Sequence, residues 1–326
     1  ASTVLAGSWI YVRALERVGV VGAIDRLAPA TTVLRVQNSR MPFTPDAFDK
    51  ASEIVNEASA GLGGIVGGEG HLLRTPRLFW GPAETGVRVG VDEMGAAVSR
   101  GLVQRMAHLV DNVDFVAGRA PSETVDRTGP LPVAEAALPA QRAAELGVEP
   151  GDVLEVAATP NEYGRFIAVV TGLFEPRDTN SAFWAGIADD VLNPPHENKL
   201  MLIPPPLPLF VRGEAIWDLT RESPIAVGDS RWYLYLDRET MSAKLRGDLI
   251  SKIDEFEDIV QKQIPRARIG TGPRGEFENL ERRAVFAQTP IYLMGALLIS
   301  VAAYYLYMVA GLLAERRRED ISMLRS

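Results

Sequence analysis

One stretch constrains this chain more than any other: Ile291 to Ala314 reads IYLMGALLISVAAYYLYMVAGLLA and holds no charged residue. A helix of that length reaches roughly 36 Å, enough to cross a hydrocarbon core of about 30 Å with some tilt. The run predicts a transmembrane helix over 290–314, with the chain before it folded outside the bilayer. Arg316, Arg317 and Arg318 follow the run directly and Arg325 lies just behind, whereas the nearest basic residues before it are Arg282 and Arg283. Positive charge favours the cytoplasmic side of a span, so residues 315–326 are expected in the cytoplasm and 1–289 outside it. Tyr304, Tyr305 and Tyr307 stand near the middle of the run, deeper than an interfacial aromatic belt. Their hydroxyls need partners there, which predicts packing against other membrane helices. A single span tolerating its tyrosines is the alternative.

The rest of the chain narrows the function classes by what it lacks. Lys and Arg total 34 against 42 Asp and Glu, a net charge of -8, so there is no basic face for a phosphate backbone and nucleic acid is not an expected partner. There is no cysteine, which removes disulfides and thiolate metal sites. His71, His108 and His196 are widely spaced, lack metal-ligand spacing and read as surface or core residues. The opening ASTVLAGSWIYVRALERVGV has no initiator methionine, basic leader or long apolar core. It reads as a processed edge, and the stop after Ser326 reads as equally arbitrary.

Before the apolar run the patterning is that of a mixed α+β domain. Thr44-Pro45 reads as an N-cap and first-turn proline, followed by Ala47, Phe48, Ala51, Ile54, Val55 and Ala58 at helical spacing. The glycine-rich AGLGGIVGGEG (Ala60 to Gly70) has no Lys-Ser/Thr behind it as a P-loop requires, and reads as a helix end entering a tight turn. GDVLEVA and RFIAVVTGLF predict strands, with ALPAQRAAELGV between β-type segments as a short helix. The proline-rich PPHENKLMLIPPPLPLF reads as a surface loop with one edge strand. RWYLYLD and ARIGT predict further strands. Between them Met241, Leu245, Leu249, Ile253, Phe256, Val260 and Ile264 step along one helical face, with Asp248, Asp254, Glu255, Glu257 and Asp258 largely on a solvated one. FENLERRAVFAQTP reads as a stalk helix leading to the membrane. The resulting plan is a discontinuous α/β core (1–110 and 231–289, the latter with the stalk) split by an inserted β-rich subdomain (111–230), then the span and a cytoplasmic segment.

No HExxH, GxSxG, GxxxxGK[ST] or EF-hand loop occurs, so no enzymatic activity is expected within the chain.

The C-terminal AERRREDISMLRS resembles the end of the second transmembrane helix in ABC transporter permeases of the FtsX/MacB/LolC type. In that resemblance Arg316, Arg317 and Arg318 take the basic run and Asp320 the acidic position, where the family more often has Glu. Ile321, Met323, Leu324 and Arg325 take the coupling helix that docks on the ATPase subunit. The domain carries matching stretches in the expected order. FVAGRAPSE (Phe115 to Glu123) is similar to the family's Gly-Arg-x-Pro turn, Pro132 to Val156 to its strand–helix–Gly-Asp-strand unit, and RFIAVVTGLFEP to the strand closing that unit, as in a MacB-like periplasmic core domain.

The resemblance implies a non-catalytic permease in the bacterial cell membrane, transmitting force between a cytoplasmic ATPase and a large extracytoplasmic domain. Cofactors would be absent from this chain, with ATP and Mg on the partner. Implied partners are an ABC ATP-binding subunit, a second permease copy or homologue, membrane lipid and, in some members, a periplasmic adaptor or cell-wall hydrolase. Further spans would lie before Ala1 and after Ser326. A single-span receptor or adhesin, and an anchored extracytoplasmic enzyme, are the alternatives.

Overall fold

The structure, a computed structural model, describes residues 28–83, 99–159, 164–194, 205–244, 248–271, 274–275, 293 and 295–311. Two compact units are distinguished. Leu27–Arg274 holds every described strand, and the unit that takes in Gly275–Ser326 is helical over 295–311.

A short 3-10 turn at Pro29–Thr32 precedes β1 (Val33–Pro42) and α1 (Pro45–Ala60). The Thr44 hydroxyl caps α1 by accepting the Ala47 N–H at 3.3 Å, and Pro45 occupies the first turn, where its missing N–H costs nothing. Phe48, Ala51, Val55 and Ala58 form its buried side. Next come β2 (Val66–Arg74), β3 (Leu78–Pro82), β4 (Arg100–Met106), β5 (Val113–Gly118), β6 (Val125–Asp126) and β7 (Val133–Pro139). α2 (Ala140–Leu146) ends on Gly147 in the left-handed region at φ 66°, where the Val148 N–H returns to the Ala143 carbonyl. β8 (Val153–Ala157), β9 (Arg165–Pro176), α3 (Ala188–Leu192), β10 (Leu207–Phe210) and α4 (Ala215–Thr220) follow. The unit closes with β11 (Val227–Leu236), α5 (Arg238–Lys244), α6 (Asp248–Gln263) and β12 (Arg268–Thr271).

All these strands join one 12-stranded sheet, in the order β10-β7-β9-β8-β3-β4-β2-β11-β1-β12, with β5 on β9 and β6 on β7. An additional parallel pairing of β10 with β4 closes β10, β7, β9, β8, β3 and β4 into a ring. β2, β11, β1 and β12 extend from it as an antiparallel layer drawn from both ends of the unit: Val36 lies between Trp232 and Ile269. One face of this layer takes α1, where Phe48 stacks on Trp232 at 5.6 Å. α6 packs against α1 and buries Ile253, Phe256 and Val260, with Ile264 buried just beyond its end. Another core cluster joins Phe183, Trp184, Ile187, Val191 and Leu192 to Val33, Leu72, Phe174 and Tyr233. The expected α+β class, with strands where RFIAVVTGLF, GDVLEVA, RWYLYLD and ARIGT predicted them, is the observed one.

Two local expectations are corrected. The glycine-rich segment does turn, at Gly63 and Gly64 (φ 66° and 74°), but Val66 to Gly70 then run as the first half of β2. The glycines there make room: a Cβ on Gly70 would stand 3.3 Å from the Tyr235 hydroxyl, and one on Gly67 would stand 3.2 Å from Cβ of Asp237. The proline-rich segment is no surface loop at Leu207–Phe210, since all four residues are buried and the strand lies between β4 and β7. Pro208 is accommodated because the seam to β7 is the single pair Phe210–Ala137, so no ladder donor is asked of it on that side. The helical face running from Met241 divides between α5 and α6, with 245–247 outside the described residues.

Candidate functional site

The coupling residues expected from sequence, Arg316, Arg317, Arg318, Asp320, Ile321, Met323, Leu324 and Arg325, lie outside the described residues, as do His196 and the stalk segment before the apolar run. Of the run itself, Leu293 and 295–311 are described and helical. Among the described residues no helix is long and apolar enough by itself to cross a membrane. The described part is nevertheless apolar on all sides: Leu297, Leu298, Ile299, Leu306 and Tyr307 are 61–79% exposed. The Ser300 hydroxyl donates back to the Ala296 carbonyl at 2.8 Å, which leaves the hydroxyls of the exposed Tyr304, Tyr305 and Tyr307 as the main polar groups of this helix.

The Gly-Arg-x-Pro turn is a tight clamp. Gly118 sits at φ 71°, and the Arg119 N–H donates to the Thr171 carbonyl at 2.8 Å. The Arg119 guanidinium grips both oxygens of Glu135 on β7 at 2.6 Å, and the Ser122 N–H donates to the same carboxylate at 2.8 Å. The arginine hydrogen bonds hold the Glu135 carboxyl below the usual range. The turn thus fastens β5 and β7 together around β9.

A second charge cluster joins segments far apart in the chain. Arg74 Nε donates to Gln104 Oε1 at 2.7 Å, and its terminal nitrogens reach the Asp190 carboxylate at 3.4 Å and carbonyl at 3.0 Å. Arg231 pairs with Asp190 and donates from Nε to Asp229 Oδ2 at 2.8 Å, while Gln37 Nε2 donates to Asp229 Oδ1 at 3.1 Å. Burial pushes the Asp190 carboxyl up, but Arg74 and Arg231 outweigh it and leave it below the usual range. Two guanidiniums against two carboxylates compensate each other, so the cluster fastens α3 to the sheet and offers no unmatched charge to a ligand.

A cavity of about 170 Å³ beside α1 is lined by Ser52, Asn56, Glu69, His71, His108 and Trp232. Burial, then the neighbouring Arg105 and His108, lower the His71 pKa to about 4, so it is neutral at physiological pH. Ser52 accepts the Trp232 indole N–H at 2.9 Å, and no hydrogen bond among the described residues joins it to His71. That geometry offers no activated nucleophile. Among the described residues no group of three or more His, Cys, Asp or Glu gathers that could hold a metal ion.

Sequence reasoning picked out the Gly-Arg-x-Pro turn and missed the Arg74–Asp190–Arg231 cluster, whose members carry no local motif. No family model and no curated protein matches the chain. Among solved structures the chain is similar to a domain assigned to a permease protein from Porphyromonas gingivalis, at 11% identity and a TM-score of 0.34, covering 72% of this chain and 82% of that one. It is also similar to the periplasmic region of MacB from Actinobacillus actinomycetemcomitans, at 9% identity and a TM-score of 0.36, covering 74% and 90%.

Proposed function

We propose that this chain is a permease component of an ABC transporter, its α+β domain standing outside the cytoplasm and its C-terminal segment meeting a cytoplasmic ATPase. The observation that carries the reading is the uncharged run Ile291 to Ala314, closing on Arg316 to Arg318 and set behind a discontinuous α+β domain. The ordered domain motifs support it, and so does a helix over 295–311 whose apolar side chains point outward in every direction. In this role residues 1–110 and 231–289 form the split core and 111–230 the inserted part. The chemistry belongs to the partner, with ATP and Mg bound there. The chain supplies mechanical coupling: Ile321, Met323 and Leu324 seat in an apolar groove of the ATPase, with Asp320 and Arg325 at its rim. ATP-driven movement then passes along the span as a rigid-body shift of the outer domain.

The test is Leu324→Asp, made in the membrane-embedded protein together with its ATP-binding subunit. Transport-linked stimulation of the ATPase should be lost while the domain melts at an unchanged temperature. Unaltered stimulation in that variant overturns the coupling assignment, and absence of any ATP-binding partner in the wild type favours a single-span receptor.

A further inference from the structure

The last part of the strand-bearing unit is held more firmly than a short edge strand would manage alone. Among the described residues β12 pairs only with β1, through Leu34–Thr271 to Gln37–Arg268, so one described seam secures it. The turn before it is fixed by Arg266 at φ 64° and by Asn38, whose side-chain amide donates to the Pro265 carbonyl at 3.1 Å. Three residues beyond β12, Arg274 returns to α6, its guanidinium 3.0 Å from Asp254 Oδ1 and 3.4 Å from Glu257 Oε2. Glu257 is largely buried, and burial pushes its carboxyl up even with Arg274 beside it. Phe256 and Val260 of the same helix are buried in the core, so a force applied at Arg274 is received by a packed helix.

We infer that the Arg274–Asp254–Glu257 clamp is the joint by which the sheet domain grips the chain as it leaves toward the apolar run. Arg274 is a positioning residue in this sense, and its role in coupling rests on the permease reading above. Without the clamp, more of any load arriving from the C-terminal side would fall on the β12 seam, and an edge strand of that length frays readily. With it, the same load is divided between β1 and α6.

The experiment is hydrogen exchange on the complete membrane-embedded chain, comparing Arg274→Gln and Arg274→Lys with the wild type. Arg274→Gln should speed exchange of the β12 amides about fivefold, the scale of a partly exposed ion-pair network, and leave β11 unchanged. Arg274→Lys keeps the charge and should recover most of the protection. Unchanged β12 exchange in Arg274→Gln, or equal acceleration in β11, overturns the joint. Stimulation of the partner ATPase is measured on the same samples. A loosened β12 with wild-type stimulation overturns the joint's part in coupling. If the wild type itself stimulates no ATPase, the permease reading fails, while the exchange data still decide the clamp.

Discussion

Asp190 ties together parts of the domain that are far apart in the chain. It joins Arg74 of β2 and Arg231 of β11 across more than a hundred residues of chain and brings α3 onto the sheet. Arg74 is only 8% exposed at its side chain, so removing its carboxylate strands a buried cation. Asp190→Ala should therefore cost about 2 kcal/mol in urea unfolding, below the range for a fully buried pair because Asp190 itself is partly exposed. The same pairing fixes a pH dependence. Burial works against the Asp190 charge, but Arg74 and Arg231 prevail, and its folded pKa lies below the ordinary 3.8. A carboxyl lowered in the folded state stabilises above its unfolded pKa and loses that contribution as pH falls through the folded value. Wild-type stability should thus fall on acidification below about pH 4, and Asp190→Asn should fall less steeply over the same window. Parallel unfolding curves of the two proteins against pH would rule this out. None of this was legible in the sequence, because Asp190 stands beside Asp189 in a short stretch without a motif, and neither arginine that it meets is near it in the chain.

At the scale of elements, two glycines separate strain from collision. Gly172 on β9 has the carbonyl of Arg119 where its Cβ would be, at 2.2 Å, and Cδ1 of Phe115 at 2.8 Å. Neither the β5–β9 seam nor the Gly-Arg turn can back away without breaking its own bonds, so Gly172→Ala should cost about 3 kcal/mol. Gly147 ends α2 in the left-handed region with nothing within 4 Å of its Cβ, so Gly147→Ala meets only backbone strain, about 1 kcal/mol. Thermal melts of both variants test the order; a Gly147 variant as damaged as the Gly172 one would refute it. The elements themselves differ in how far sequence betrayed them. β8, β9 and β11 alternate or run apolar with strong β-formers, and α1 announces its start at Thr44-Pro45. The first half of β2 did not, because glycine shows no face, and its lack of side chain is what admits Tyr235. β10 did not either, since proline ordinarily argues against an interior strand and only the sparse seam to β7 makes Pro208 tolerable. The acidic face of α6 reads as solvated from composition, yet Glu257 turns inward to Arg274.

For the whole molecule the decisive question is which side of a membrane each end occupies. A helix with apolar side chains all round needs an apolar surrounding, and the uncharged run that contains 295–311 has the length that would let it find one through the thickness of a bilayer. The arginine cluster follows that run directly, which is the ground for expecting the cytoplasm on its C-terminal side. The chain has no cysteine, so an introduced thiol reports alone. Glu57 is exposed on α1 and away from its buried side, and Glu57→Cys should react with a membrane-impermeant maleimide in right-side-out spheroplasts. Ser326→Cys should react only after permeabilisation. Reaction at both without permeabilisation would show that the run does not span, and the reversed pattern would put the domain in the cytoplasm. The expected pattern places the domain where an extracytoplasmic lever has to stand. On the proposed reading, ATP-driven movement would then enter through the segment Arg316 to Arg325, which carries the arginines and the apolar Ile321, Met323 and Leu324.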